Sequence, residues 1–217
     1  MEYFIGENKE LFVPEKKIGQ GFEGVVYLNK KSNEAVKIFS KYNKLNVDTA
    51  EKMTQINTKY ILLPRRLVFD EFDNYAGYTT KYIETNKPMT SSTLVNYPII
   101  YLLYLFSKLY KEVDLISNHK LLLADLDNPD NYIYNGNFYL VDPGYYHFVG
   151  NSYESVLAEN IKTINQFVIS YALDCGIPDI EDILNKRGET YTLCDYFKNE
   201  GKVFESYRKL ARRKRHK

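Results

Sequence analysis

Tryptophan is absent from this 217-residue sequence, and only two cysteines, three histidines and three methionines occur in it. Two thiols, Cys175 and Cys194, form no C-x-x-C pair, which excludes a disulfide framework and a cysteine-based metal site and fits a reducing environment. No internal repeat and no Gly/Ser linker tract interrupts the chain. Long apolar runs are also missing: the longest, Tyr97 to Phe106, is about half the ~20 residues that a membrane-spanning helix needs. The first ten residues mix acids into what would have to be a basic and then apolar leader, so no signal peptide is expected and a cytoplasmic location is. What is present, 44% hydrophobic and 26% charged residues, suits one globular domain, or one domain in two lobes, with a sizeable core.

The formal net charge is only +1, but its distribution is uneven. Seven of the 29 basic side chains and none of the 28 acids stand in Arg208 to Lys217. An acidic body therefore carries a cationic tail, which argues against a domain that coats nucleic acid along its whole surface. The tail offers a contact for an acidic partner, nucleic acid or anionic lipid; alternatively it is a solvated helix end whose cations suit the helix dipole.

The hydrophobic pattern changes character along the chain. In the first third, short alternating segments (Gly24 to Lys30, Glu34 to Phe39, Arg65 to Glu71, Tyr75 to Ile83) are separated by turn signals and read as strands, with one helix over about Asn46 to Thr58. After Lys87-Pro88 the period becomes helical. Ile99, Leu102, Leu103, Phe106, Leu109 and Tyr110 recur at three and four residues, predicting a long helix to about Ile116. A loop rich in Asp, Asn, Pro and Gly follows, Ala124 to Gly144, with short strands at Tyr132 to Tyr134 and Phe138 to Val141. Two or three helices are expected from about Tyr153. The expected fold is α+β and bilobal: a β-rich lobe over 1–84, a short helical lobe over 85–207, and the tail over 208–217, with the boundary near Glu84 to Pro88.

Within this frame certain residues carry chemistry. Gly19-Gln-Gly21-Phe-Glu-Gly24-Val-Val26 matches G-x-G-x-x-G-x-V between two strands, a setting in which backbone passes close over phosphate groups without Cβ clashes. Thirteen residues on, Ala35-Val36-Lys37-Ile38 alternates so that Ala35 and Lys37 share one face. A lysine facing inward beside alanine needs an anion.

Downstream, Leu121-Leu-Leu-Ala-Asp125-Leu-Asp127-Asn-Pro129-Asp-Asn131 is similar to the catalytic loop of protein kinases, and Val141-Asp142-Pro143-Gly144 stands where their D-F-G lies. With the glycine hairpin and Lys37 in order before them, the chain resembles the protein kinase-like superfamily, in particular compact bacterial Ser/Thr kinases with a truncated helical lobe. The resemblance implies an ATP- and Mg²⁺-dependent phosphotransferase acting on protein hydroxyl groups. It implies that Gly19, Gly21 and Gly24 form a phosphate lid; that Ile18, Val26 and Ala35 make an adenine roof over Ile133; and that Thr80 stands near the gatekeeper position, with the backbone of Lys81 to Ile83 meeting adenine. Lys37 would grip phosphates and pair with a helix carboxylate, Glu51. Asn131 and Asp142 would bind Mg²⁺, and Asp125 would accept or orient the proton of the attacking hydroxyl.

The sequence also departs from that family. Leu123 and Ala124 replace the His and Arg before the catalytic Asp, so control by a phosphorylated activation loop is not expected. The interval from Asp125 to Asn131 is one residue longer than the motif, which leaves Asp127 as a rival base. Pro143 stands in place of the motif's Phe, and no A-P-E follows. These departures keep two other functions open: a pseudokinase acting as a nucleotide-binding scaffold, and a small-molecule kinase of the aminoglycoside or choline type.

Overall fold

A computed structural model describes residues 1–40, 45–84, 97–126, 128–174 and 180–215. The first part is an antiparallel sheet of seven strands: β1 (Tyr3–Ile5), β2 (Glu10–Phe12), β3 (Lys16–Gln20), β4 (Gly24–Asn29) and β5 (Glu34–Phe39), then, after helix α1 (Val47–Thr54), β6 (Arg66–Asp70) and β7 (Tyr75–Lys81). The strands lie in the order β2-β1-β6-β7-β5-β4-β3. Alternation and turn chemistry explain the central part. Asn33 takes a left-handed φ of 54° between β4 and β5, and the Asp70 carboxylate accepts the backbone N–H groups of Phe72 and Asn74 to close the β6–β7 turn. Val36 and Ile38 bury themselves on one face with Tyr3, Ile5, Phe12 and Val68, while Ala35 and Lys37 turn to the opposite face.

Helix α1 starts where the sequence indicates, with the Asn46 side chain accepting from Thr49 N at 2.7 Å. It stops at Thr54, earlier than Thr58, where Gln55 N donates to Lys52 O and Ile56 N to Met53 O, tighter i→i−3 bonds that close its last turn. The N–H groups of Lys59, Tyr60 and Ile61 all donate to the Glu112 carboxylate, at 2.7, 2.7 and 2.8 Å.

Glu112 belongs to α2 (Ile99–Asn118), whose buried stripe is Leu102, Leu105, Phe106, Leu109, Val113 and Ile116. The chain then forms β8 (Leu121–Leu122), a 3-10 turn at Pro129–Asn131, the hairpin β9 (Tyr132–Tyr134) and β10 (Phe138–Leu140), a second 3-10 turn at Pro143–Tyr145, and β11 (His147–Phe148), which pairs with β8. Three helices follow: α3 (Tyr153–Asp174), α4 (Ile180–Arg187) and α5 (Leu193–Arg215). Among the described residues no helix is long and apolar enough to cross a membrane. Residues 85–88, where the sequence suggests a lobe boundary, lie outside the described residues, as does the end of the tail, though helical backbone reaches Arg215.

One core runs through both parts. Ala50 and Met53 of α1 and Tyr78 of β7 pack in the same cluster as the α2 stripe, Leu140 of β10 and Phe197 and Phe204 of α5. Backbone also crosses between them: Leu140 N donates to Tyr60 O and Leu62 N to Leu140 O, both at 2.8 Å. The protein is thus a mixed α+β fold in which the inner face of the sheet meets the β8–β11 segment and the helices, leaving a cleft between them.

Candidate functional site

The cleft holds about 690 Å³, within the range of small-molecule sites, and is walled by the β3–β4 hairpin, β5, the end of β7 and the segment from Asp125 to Tyr145. Ile18, Gly19, Gly21, Gly24, Val26, Ala35, Lys37, Thr80, Lys81, Ile83, Asp125, Asn131, Ile133 and Asp142 all line it. Of the residues singled out from sequence, Glu51 is not among them, and Asp127 lies outside the described residues.

The roof is paired strand, with one register shift between Lys17 and Gly19 of β3. β4 pairs with β5 from Gly24↔Phe39 to Asn29↔Glu34, so the hairpin lies directly beside the strand that carries Lys37. Gly24 is required by this approach: a Cβ there would lie 2.2 Å from the Ile38 carbonyl oxygen. At Gly21, in contrast, a Cβ would meet nothing within 4 Å, so packing within the protein does not demand glycine at the hairpin's tip.

The floor is irregular and held by side chains. Asn160 of α3 is fully buried; its Oδ1 accepts from Leu123 N at 2.8 Å, and its Nδ2 donates to Ser117 Oγ and to the Leu121 carbonyl at 2.9 and 3.0 Å. Beyond this clamp Asp125 takes a φ of 58°, the left-handed region in which Asp is tolerated. Asn131 fixes it there, its Nδ2 donating to the Asp125 backbone carbonyl at 2.7 Å and to Oδ2 at 3.0 Å. The Asn131 carbonyl in turn accepts from Val141 N at 2.8 Å, setting the strand that leads to Asp142, whose φ is 61°. Two carboxylates held in sparsely populated backbone conformations within one cleft are a feature of sites where strain is part of the function.

Roof and floor meet at Lys37. Its Nζ, on a side chain 8% exposed, donates to Glu23 Oε2 at 2.9 Å and also to Asp142 Oδ1, 105 residues away in sequence. This corrects the expected pairing: the partner of Lys37 is Glu23 of the glycine hairpin, and Glu51 points from α1 into solvent. The buried face of α1, Ala50 and Met53, is committed to the core, so Glu51, on the other side of the helix, cannot turn inward. From within the G-x-G-x-x-G hairpin Glu23 reaches both Lys37 and Gly144 of the floor, and the position of an acid inside a glycine motif was its only trace in the sequence.

Tyrosines surround this pair. Tyr78 OH donates to Asp142 Oδ1 at 3.3 Å, and burial, reinforced by the Asp142 charge, holds its phenol well above the ordinary value. Tyr146 is likewise buried and its phenol pushed up, first by desolvation and then by the charges of Asp142 and Asp125. Both therefore stay neutral beside the carboxylates, Tyr78 as a donor and Tyr146 with its hydroxyl buried and unpaired. Neither they nor Asn160 carried a signal in the sequence.

Comparison of the chain with protein-family models and with curated proteins finds no match. Its chemistry has to be judged from the cleft itself. Among the described residues no group of three or more His, Cys, Asp or Glu side chains is arranged to hold a metal ion unaided. The donor set suits a hard divalent cation shared with a ligand: Asp142 offers a carboxylate 39% exposed to the cleft, and Asn131, its amide nitrogen engaged by Asp125, has its side-chain oxygen left to offer. Mg²⁺ is commonly bound by one or two such groups together with phosphate oxygens and water.

Proposed function

We propose that the protein is an ATP- and Mg²⁺-dependent phosphotransferase with a bilobal kinase-like fold, transferring phosphate to Ser or Thr hydroxyls of a protein. The observation that carries this proposal is the ion pair between Lys37 and Asp142 across the cleft, with Asp125 and Asn131 bonded to each other along the same floor. A buried lysine, an open hairpin tip and two oxygen donors opposite them are what a polyphosphate with its cation requires.

The chain's own part in such a reaction is positional. The hairpin covers the phosphates and keeps water from them, Lys37 supplies a fixed positive charge, and the Ile18, Val26, Ala35 and Ile133 side chains enclose an apolar slot for the base. Mg²⁺, when bound through Asn131 and Asp142, would neutralise charge developing on the phosphate oxygens. Asp125, exposed at the cleft and oriented by Asn131, accepts the proton of an incoming hydroxyl or aligns it.

A second function, nucleotide binding without turnover, is favoured by one observation: Lys37 is already neutralised by two carboxylates. Transfer of labelled γ-phosphate from ATP with Mg²⁺, to the protein itself and to a generic basic protein, decides between them. Transfer by the wild type that falls about 10³-fold or more in Asp142→Ala supports the phosphotransferase. Unchanged transfer in that variant removes Asp142 from the metal site, and ATP binding with no transfer in the wild type leaves the scaffold.

A further inference from the structure

Lys37 bonds two carboxylates, and they differ in a way that assigns them different work. The Asp142 side chain is 39% exposed and belongs to the floor, so it exchanges one cation for another at little desolvation cost. The Glu23 side chain is 11% exposed, and its second oxygen, Oε1, is buried with no hydrogen-bond partner. Moving such a carboxylate off its ammonium would leave a buried, unpaired charge, which is strongly unfavourable. Glu23 is therefore the partner that stays.

Its attachment agrees. Ser40, at the end of the strand that carries Lys37, donates from its backbone N–H to the Glu23 carbonyl at 2.7 Å and from Oγ to the Phe22 carbonyl at 2.9 Å. The hairpin tip and Lys37 are tied into one piece. The floor has made room for the carboxylate: a Cβ at Gly144 would lie 2.5 Å from Glu23 Oε2 and 3.4 Å from Asp142 Oδ1. Gly144 does not have a left-handed φ, so space and not backbone conformation is what glycine supplies here.

We propose that Glu23 is a positioning residue that fixes Lys37 for phosphate binding from within the glycine hairpin, doing so in place of a helix carboxylate, and that Gly144 vacates the space it needs. The proposal rests on the nucleotide site described above. Glu23 touches no reacting atom; it keeps the ammonium in place whenever Asp142 engages another cation.

Two substitutions remove the contact by opposite means. Glu23→Gln keeps the shape and deletes the charge, whereas Gly144→Ala keeps the charge and evicts the carboxylate. Both are compared with the wild type in two assays, alongside thermal unfolding to establish that each variant folds. In the first, without nucleotide, the acylation of Lys37 by an amine-reactive reagent is followed by peptide mass spectrometry and referenced to the exposed Lys30. Each variant should label Lys37 about tenfold faster, and the double variant should add nothing to the singles. In the second, phosphate transfer should fall about 10²-fold in kcat, the effect of a misplaced group, with the affinity for a fluorescent ATP analogue and Mg²⁺ changed far less.

Unchanged Lys37 labelling in both variants overturns the pairing. Tighter nucleotide binding or faster transfer in Glu23→Gln also overturns the proposal, since Glu23 would then obstruct the site. A wild type that neither binds the analogue nor transfers phosphate removes the nucleotide site and with it the phosphate role, while the labelling assay still decides whether Glu23 holds Lys37.

Discussion

The roof and the floor of the cleft are built by different physics. The roof is a run of paired strands: register places Gly24, Ala35 and Lys37, and local rules of alternation and turn chemistry suffice to produce it. The floor contains two strands of only two residues, two 3-10 turns and two left-handed aspartates, and it keeps its shape because Asn160 reaches in from α3 and Asn131 ties the segment to itself. A paired strand gains many weak, redundant bonds. A side-chain clamp concentrates its effect in one residue, so single substitutions should damage the floor far more than the roof.

The largest effect is expected at Asn160. Replacing it by Leu keeps the volume similar but strips hydrogen bonds from Leu123 N, the Leu121 carbonyl and Ser117 Oγ, all in buried surroundings. Leaving such groups unpaired should lower stability by about 3 kcal/mol, read as a fall in the urea midpoint with unchanged slope. A loss under about 0.5 kcal/mol would mean that the floor is not clamped there and would erase the contrast with the roof.

A smaller effect is expected at the tie between the two parts. Glu112→Ala deprives three consecutive backbone N–H groups of a charged acceptor, but Glu112 is only half-buried and water can replace it in part. A loss of about 2 kcal/mol is expected, together with faster amide exchange at residues 59–61 than elsewhere. Exchange that quickens uniformly across the chain would show that Glu112 supports the whole fold and not this junction.

The same division separates what could be read in the sequence from what could not. The strands at Gly24, Glu34 and Tyr75, the helix from Ile99 and the hairpin Tyr132 to Leu140 are visible as periodicities, and the glycine spacing, Lys37, Asn131 and Asp142 are visible as motifs. Short strands such as β1, β2, β8 and β11 have too few residues to show a period. Glu23 and Glu51 illustrate the limit for the site. Both are single acids near a lysine motif, and the choice between them depends on which face of α1 the core buries and on the missing Cβ of Gly144. No local pattern records distances of that kind.

The smallest effect should appear at the roof's outer edge, where Arg66 joins Glu10, with Nη1 to Oε2 at 2.7 Å, and also Glu34. The Arg66 hydrogen bond holds the Glu10 carboxyl below its ordinary value, against a weaker opposing effect of desolvation. A lowered folded-state value stabilises the protein above the unfolded carboxylate's pKa, and that contribution disappears as pH falls through the folded value. Arg66 and Glu10 are each about a third exposed, so solvent and salt screen the pair, and Glu10→Gln, which leaves Arg66 on the buried Glu34, should cost about 1 kcal/mol or less at neutral pH. The difference between wild type and Glu10→Gln should shrink as the solution is taken below the ordinary carboxylate range, and it should shrink in high salt as well. A large, salt-independent loss would place a single-residue clamp in the roof and break the distinction between a lattice of redundant strand bonds above the cleft and a few decisive side chains below it.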